Sequence, residues 1–463
     1  MLEKLANIFR VPDLRKRVLF TLGLLAVYRI GGHIPTPGIN GDKLAQFFEQ
    51  NRGSVLGFVD LFSGGNLRRL TIFALGIMPY ITASIILQLL TVVYEPLAKL
   101  QKEGEMGRKK ITQWTRYLTF ALSAVQSFGI AISLEKAGDF VNTPGPKFVL
   151  MTMLTLTTGS VFIMWLGEQI TERGIGNGMS LLIFAGIVVG LPRGVADLYD
   201  KANNAAWGAF TAPAMIILIA LMIAVVAFIV YVERSERRIP VQYAKRVVGR
   251  KVMGGQSTHL PLRVNAGGVM PVIFASSILA LPQMAGAAFK TNKVIGPMLD
   301  WLRWGEPLYT LLYCLGIIFF AYFYISIVFN PNEVADNMRK WGGFIPGIRP
   351  GKRTSDFIND VLTRITLVGA LYLILISLIP EWMIAGIKLN HLWLIGHMFE
   401  NLPTWITNGL GVNFYFGGTS LLIIVVVVMD FIAQLNAHMM SHQYEGLIKK
   451  ANLRGAGRPG PSR

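Results

Sequence analysis

The sequence predicts an all-α membrane protein with ten spanning helices, arranged as two halves of five with opposite orientations. Of its 463 residues, 52% are hydrophobic and only 15% are charged, whereas soluble domains average about 25% charged residues. The apolar residues also form long continuous runs and do not alternate with polar ones, which excludes a β-barrel. The basic residues, finally, concentrate in a few loops between these runs. Together these observations exclude a soluble or disordered protein.

Ten apolar runs are candidates for spanning helices, because a hydrocarbon layer of about 30 Å needs about 20 apolar residues. The fifth run is short, and several runs contain Gly or Pro, which membrane helices tolerate. The runs cover Val18–His33, Ile72–Val93, Trp114–Leu134, Phe148–Gly167, Met179–Pro192, Ala212–Val232, Gly268–Phe289, Pro307–Phe329, Ile365–Ala385 and Phe416–Asn436.

The distribution of Lys and Arg predicts that both termini are cytoplasmic. The chain holds 44 basic and 26 acidic residues, a net charge of +18. The basic residues concentrate at the amino end, in alternate loops and in the carboxyl tail, and such loops stay on the cytoplasmic side. No small-residue cleavage site follows the first apolar run, so we interpret it as a retained helix and not as a signal peptide.

The connection between the fifth and sixth runs divides the chain into residues 1–192 and 212–463, joined by a polar stretch at 193–211. Five is an odd number, so the two halves have opposite orientations, as in membrane proteins built from inverted repeats. The halves show no convincing sequence similarity, and the repeat is therefore a topological prediction.

The first external segment contains an apolar stretch, Val55–Phe62, that is too short to span the membrane and ends at Ser63–Gly65. Such a stretch either lies at the membrane interface or folds back into a cavity lined by protein. Composition alone favours the interfacial interpretation and leaves the re-entrant one open.

Two cytoplasmic loops, residues 233–263 and 330–364, are strongly basic. Basic loops can serve topology alone and attract anionic lipid. In the second loop, however, Pro346 and Pro350 hold Arg349 on a stiff turn. An ordered arginine exceeds what topology needs, and we therefore favour docking of an acidic partner, either RNA or protein.

Enzymatic interpretations find little support in the sequence, and we expect no catalytic residues, cofactor or metal. The six histidines are scattered, and His438 and His442 lack the adjacent glutamate of a zinc protease. A disulfide framework is excluded by the single cysteine, Cys314. A secondary transporter would need a polar site at the membrane midplane, which the runs do not show. A membrane insertase without a pore is a second alternative, which the short apolar segment disfavours.

Long stretches of the chain resemble the SecY family of protein-translocation channels, almost from end to end and in the family's order. The stretches are YRIGGHIPTPG (Tyr28–Gly38), LFSGGNLRRLTIFALGIMPYITASIILQLLT (Leu61–Thr91), KEGEMGRKKITQWTRY (Lys102–Tyr117), MWLGEQITERGIGNGMSLLIFAGIV (Met164–Val188), GQSTHLPLRVN (Gly255–Asn265), GFIPGIRPGKRT (Gly343–Thr354) and YFGGTSLLIIVVVVMD (Tyr415–Asp430).

The resemblance implies a central pore between the two inverted five-helix halves, and a lateral gate between the second and seventh helices. Unfolded, signal-bearing polypeptides would cross through the pore, and transmembrane segments would leave sideways into lipid. The channel would hydrolyse nothing and would be driven by the SecA ATPase or the ribosome. Further implied partners are SecE, SecG and SecDF, and the implied location is the cell inner membrane.

The resemblance also assigns residues to parts of the channel. A pore ring of apolar side chains would hold no stable water column and would close by dewetting; Met179 departs from the usual Ile of such rings, but it is similar in size and flexible. The external connection 386–415 is longer than the family leads us to expect, and we assign it no function. The implied pore ring is Ile77, Ile81, Met179, Ile183, Ile273 and Ile423. A plug at 55–70 includes Gly57, Phe58, Phe62, Gly64, Gly65 and Arg69. The implied gate residues are Thr82 and Leu281, and those contacting SecA or the ribosome are Lys245, Arg246, Arg250, Lys251 and Arg349.

Overall fold

The computed structural model is a helical protein that also contains a three-stranded sheet and a separate two-stranded hairpin. It describes residues 11–50, 60, 63–136, 141–203, 211–243, 246–248, 251–253, 257–286, 301–302, 306–385 and 418–455. The helices in these ranges are α1 (Pro12–Gly31), α2 (Gly41–Gln50), α3 (Met78–Val93), α4 (Glu95–Lys102), α5 (Glu105–Lys136), α6 (Pro146–Arg173), α7 (Gly178–Asn203), α8 (Thr211–Arg234), α9 (Met270–Gly286), α10 (Pro307–Val328), α11 (Pro331–Lys340), α12 (Lys352–Ala385) and α13 (Gly418–Gly455).

Seven of the described helices are long and apolar enough to cross a membrane, and the bent pair α3–α4 raises the number to eight. The bend between α3 and α4 is 105° and lies at Tyr94. All ten predicted runs overlap a described helix, but α1 carries several charges and the apolar part of α9 is short. The prediction of a polytopic helical membrane protein is confirmed, and the count of ten spans stays a prediction.

Helix starts follow local chemistry. Proline occupies the first turn of α1, α3 and α6, where its missing N–H costs no hydrogen bond and its fixed φ suits the helix. Asn330 precedes α11 and its side chain accepts a hydrogen bond from the Asn332 N–H, which satisfies one of the free donors of the first turn.

The spanning helices share one large apolar core. In the amino-terminal half, α5 packs on α6 and α3 on α5; in the carboxyl-terminal half, α9 packs on α10 and α10 on α12. The two halves meet where α7 contacts α13 and α8, and where α9 contacts α3 and α5. Buried residues of α3, α6, α7, α9, α10, α12 and α13 belong to the same cluster. The division of the chain at 192 and 212 stays a prediction.

A small antiparallel sheet joins the two basic loops. In the sequence these loops are two separate segments. Strands β1 (Glu236–Tyr243) and β4 (Ser257–Arg263) pair from Glu236 with Arg263 to Gln242 with Ser257. Strand β5 (Gly343–Phe344), from the second loop, pairs with the end of β1. Strands β2 (Arg246–Val248) and β3 (Lys251–Met253) form a separate short hairpin. Beneath the three-stranded sheet lies an apolar core formed by Ile239, Val241, Leu262, Met338, Ile345, Ile358 and Leu362.

Candidate functional site

The six residues assigned to the pore ring all lie in the large core cluster, where four helices converge. Ile77 and Ile81 come from the start of α3, and Met179 and Ile183 from the start of α7. Ile273 and Ile423, one each, come from α9 and α13. The five isoleucines are at most 6% exposed, and Met179 is half-buried and packs against the same cluster.

The spacing on α3 and α7 explains how two helices contribute two residues each. Side chains four positions apart lie on one helix face, one turn above the other. Ile77 and Ile81 therefore form a continuous apolar surface over two successive turns, and Met179 and Ile183 do the same on α7. The close packing of α6 on α7 fixes this face, because a Cβ on Gly167 would lie in contact with the Met179 sulfur.

The two helices assigned to the lateral gate contact each other. Helix α3 belongs to the first half and α9 to the second, so their contact is a boundary between the halves. Thr82 of α3 is 2% exposed, and its hydroxyl donates to the Met78 carbonyl at 3.0 Å within the same helix. Leu281 belongs to α9 and its side chain lies outside the described residues.

The described part of the segment assigned to the plug is buried in protein. Ser63, Asn66, Leu67 and Leu70 are at most 3% exposed, and both leucines join an apolar cluster with Leu44, Ala74, Leu75 and Leu156. This burial favours the re-entrant interpretation over an interfacial helix. Gly57, Phe58 and Phe62 lie outside the described residues, and Arg69 is half-buried.

Main-chain hydrogen bonds fix the end of this segment to the chain that follows α1. The Thr36 N–H donates to the Leu70 carbonyl at 2.8 Å, and the Ile72 N–H donates to the Ile34 carbonyl at 3.0 Å. Farther back, the Tyr28 hydroxyl lies 3.4 Å from the Ser63 carbonyl. The segment is therefore held at its carboxyl end, at Leu70, by the chain that follows α1. Its Ser63 contacts Tyr28 of α1.

Gly64 brings the segment into backbone contact with α7. Its φ is +73°, and a Cβ at this position would lie 2.9 Å from the Cα of Gly186. Gly65 shares the positive φ, at +79°, but a Cβ there would meet only the Arg68 side chain, at 3.6 Å or more. Gly186 of α7 is therefore a packing partner of the segment that contains Gly64.

A carboxylate organises the turn inside the segment. Asp60 Oδ1 accepts the Arg68 N–H at 2.9 Å and lies 3.5 Å from the Ser63 hydroxyl, which also donates to the Asp60 carbonyl. Burial raises the pKa of the Asp60 carboxyl, while the hydrogen bonds and the charge of Arg68 oppose that rise. In the sequence, only the two glycines, Gly64 and Gly65, mark this turn.

The second basic loop presents Arg349 to solvent on a braced turn. Arg349 is exposed, and its carbonyl accepts a hydrogen bond from the Thr354 hydroxyl at 3.0 Å. Gly347 and Gly351, on either side, have φ of +83° and +106°, a conformation that glycine adopts without strain. The turn therefore fixes the main chain at Arg349 and presents its side chain to solvent.

The other residues assigned to docking lie in or next to the β2–β3 hairpin. Arg246 begins β2 and pairs with Met253, and Lys251 begins β3 and pairs with Val248. Lys245 and Arg250 lie outside the described residues. Since β5 pairs with β1, the two basic loops form one body at their base, and partner contacts on both loops would act on the same sheet.

The family is decided by comparison with known proteins. The model of the SecY family matches residues 71–432, which is more than three quarters of the chain. The chain belongs to the SecY family. A relative from Escherichia coli K12, named protein translocase subunit SecY, is 50% identical over 452 residues, covering 96% of each chain. The chain is thus matched along nearly its whole length.

Solved structures share its fold. One, described as a SecY protein whose plug domain stabilises the closed state of the translocation channel, has a TM-score of 0.63 and 20% identity, with 92% of each chain covered. Another, Sec61 in the canine ribosome–channel complex, has a TM-score of 0.59 and 18% identity with the same coverage. At identities of 20% and 18%, this similarity supports the fold of the chain and nothing further.

Proposed function

We propose that this chain is the channel-forming subunit of a protein translocase, through which unfolded, signal-bearing polypeptides cross the membrane. The observation that carries the proposal is that the buried isoleucines assigned to the ring, contributed by α3, α7, α9 and α13, lie in one apolar cluster. Its relatives along the full length are named protein translocase subunits. The chain hydrolyses nothing in this mechanism and offers a route that another machine drives.

The closed state has two barriers in this proposal. The first is the ring of Ile77, Ile81, Met179, Ile183, Ile273 and Ile423, whose apolar lining excludes water by dewetting. The second is the re-entrant segment as a plug, with Gly64 seated against Gly186 of α7. Flexible side chains in the ring would close around a passing chain and limit the leak during transport.

Opening follows from the transfer of a signal's apolar segment from water into lipid, which gains about 0.8 kcal/mol per buried CH₂. The segment would enter between α3 and α9, near Thr82 and Leu281, where the two halves meet. Parting of these helices would widen the ring and release the plug. Transmembrane segments would leave through the same lateral gate.

The basic sheet and hairpin, with Arg349, Arg246 and Lys251, are the proposed docking surface for the SecA ATPase or the ribosome. A fixed cation suits both RNA and acidic protein surfaces, and one structural neighbour was solved in a ribosome–channel complex. SecE and SecG would complete the membrane complex, and SecDF would act with it. The proposed location is the inner membrane, with both termini in the cytoplasm.

The docking proposal predicts the effect of Arg349→Glu. The turn is braced by backbone and Thr354 contacts that do not involve the guanidinium, so the variant should fold and insert normally. Its reversed charge should repel the acidic partner, and SecA-dependent transport in reconstituted vesicles should fall at least tenfold. Arg339→Glu is the control, because Arg339 is an exposed basic residue of the same loop, next to Asp336. Equal transport by wild type and Arg349→Glu would contradict the docking assignment.

The plug proposal predicts state-dependent chemistry at position 62. Phe62→Cys, made in a chain whose single native cysteine Cys314 is replaced by Ser, should react slowly with an external thiol reagent at rest. The same cysteine should react at least tenfold faster when a stalled polypeptide occupies the pore. Lys147→Cys, an exposed site on α6, provides the control and should react equally in both states. High reactivity of Phe62→Cys at rest would favour the interfacial interpretation and remove the plug.

A further inference from the structure

A buried side chain at the base of the cytoplasmic sheet ties that sheet to helix α9. Asn265 lies two residues beyond the end of β4 and is 6% exposed. Its Nδ2 donates to Glu233 Oε1 at 2.6 Å, in the last turn of α8, and to the Gly268 carbonyl at 3.1 Å. One amide group therefore holds the end of α8 and the approach to α9 together.

The connection between the sheet and α9 is short and is held by main-chain hydrogen bonds. The Val264 N–H donates to the Ser235 carbonyl at 3.0 Å, which extends the β1–β4 pairing to the end of α8. The Gly268 N–H reaches the Asn265 carbonyl at 3.3 Å, and Gly268 has a φ of +56°. A tight turn thus links the last residue of the sheet directly to Met270, where α9 begins.

Two further helices close around this turn. A Cβ on Gly369 of α12 would lie 2.8 Å from the Val264 carbonyl, so the α12 backbone passes directly beside it. Tyr372, one turn later on α12, lies beside Glu233. On the outer side, the exposed Arg263 Nη1 lies 3.7 Å from Asp430 Oδ1 of α13. The turn is enclosed on the α12 side and exposed on the α13 side.

We propose that Asn265 is a positioning residue that couples docking on the cytoplasmic sheet to movement of α9 against α3. This inference rests on the proposed docking surface and lateral gate. A displacement of β1 and β4 reaches Asn265 within two residues, and the amide bonds to Glu233 and Gly268 carry it into α8 and α9. Without those bonds, the sheet would swivel on residues 264–268 and leave α9 in place.

Variants that keep or remove the Asn265 hydrogen bonds distinguish a role in coupling from a role in the stability of the fold. Glu233→Gln keeps a carbonyl oxygen that accepts from the Asn265 amide, so this variant retains the bond. Asn265→Leu has a similar volume and cannot donate, so it removes both bonds at once. Asn265→Asp turns a donor into an acceptor that faces Glu233, and adding Glu233→Gln restores a donor on the opposite side.

The experiment uses the full complex in lipid vesicles, with one dye on α3 and one on α9 to report their separation. Affinity for SecA and the SecA-induced change in separation are measured on the same samples. We expect Asn265→Leu to bind SecA within about twofold of wild type, while the population of opened channels falls about tenfold, as for loss of a hydrogen bond to a charged group. Glu233→Gln should behave as wild type. Adding Glu233→Gln to Asn265→Asp should recover opening only in part, because it restores the bond to α8 but not the bond to the Gly268 carbonyl.

Asp430→Asn is the matched control, because Asp430 lies on α13, outside the proposed docking surface. The change removes the exposed ion pair with Arg263 of the same turn, and exposed pairs contribute little. It should leave both readouts unchanged. Wild-type gate opening in Asn265→Leu would overturn the coupling role, and so would a parallel loss of SecA affinity, which would make Asn265 a residue that shapes the docking surface. If the wild-type complex itself failed to bind SecA, the docking proposal would fall, and this inference with it.

Discussion

Ile81→Asn should make the resting channel leak ions and pass polypeptides with defective signals. Ile81 is 6% exposed and lies in the large apolar cluster that most of the spanning helices share. An amide in that cluster lacks a partner when the channel is closed and gains water when it opens. An unsatisfied buried polar group costs about 1–3 kcal/mol, so the closed state should lose about 5- to 150-fold in population relative to the open one.

The measurement is single-channel conductance of the purified complex in planar bilayers, together with export of a reporter with a weakened signal. Ile86→Asn provides the matched control, because Ile86 lies on the same helix α3, half-buried and outside the cluster. Ile423→Asn should reproduce the leak from α13. Equal conductance for Ile81→Asn and Ile86→Asn would remove Ile81 from the proposed ring.

Much of the helical architecture could be predicted from the sequence because it depends on local composition. The run that became α8 is apolar on every face, and a uniformly apolar run of this length has few alternatives to a membrane helix. The run predicted at Ile72–Val93 ends where α3 ends but starts six residues before it; α3 begins at Met78, with Pro79 in its first turn.

The small sheet and its junction could not be predicted, because they depend on pairing between distant segments. Gln242 pairs with Phe344 although the described helices α9, α10 and α11 lie between them in the chain. No local pattern marks either residue as a partner of the other. In the sequence analysis, Asn265 appeared only as the last residue of the stretch Gly255–Asn265 that resembles the family. Its importance depends on Glu233, which belongs to a different helix.

The candidate ring shows a similar limit. A single isoleucine in a membrane helix most often contacts lipid or core, and the sequence carries no feature that separates Ile81 from Ile86 in this respect. The resemblance to a family supplied the six positions, and the structure brings them into one cluster. Their role in closing a pore stays a prediction that the conductance of Ile81→Asn tests.

Gly64→Ala should unseat the plug while the helices stay folded. At a φ of +73° a side chain costs about 1–2 kcal/mol. The new Cβ would also lie 2.9 Å from the Gly186 Cα, and since that neighbour is backbone, one of the two segments must move. Overpacking of this kind costs about 1–3 kcal/mol. The two effects together should shift the plug from seated to released by more than about tenfold.

Gly65→Ala separates the two contributions. Gly65 has nearly the same φ, +79°, but the space for a Cβ is open to 3.6 Å, so this variant carries the backbone strain without the contact. We expect resting conductance in the order Gly64→Ala above Gly65→Ala above wild type, with equal thermal unfolding of the purified complexes. If Gly64→Ala and Gly65→Ala leaked equally, strain alone would explain the effect, and the seat on α7 would lose its proposed role in closing the channel.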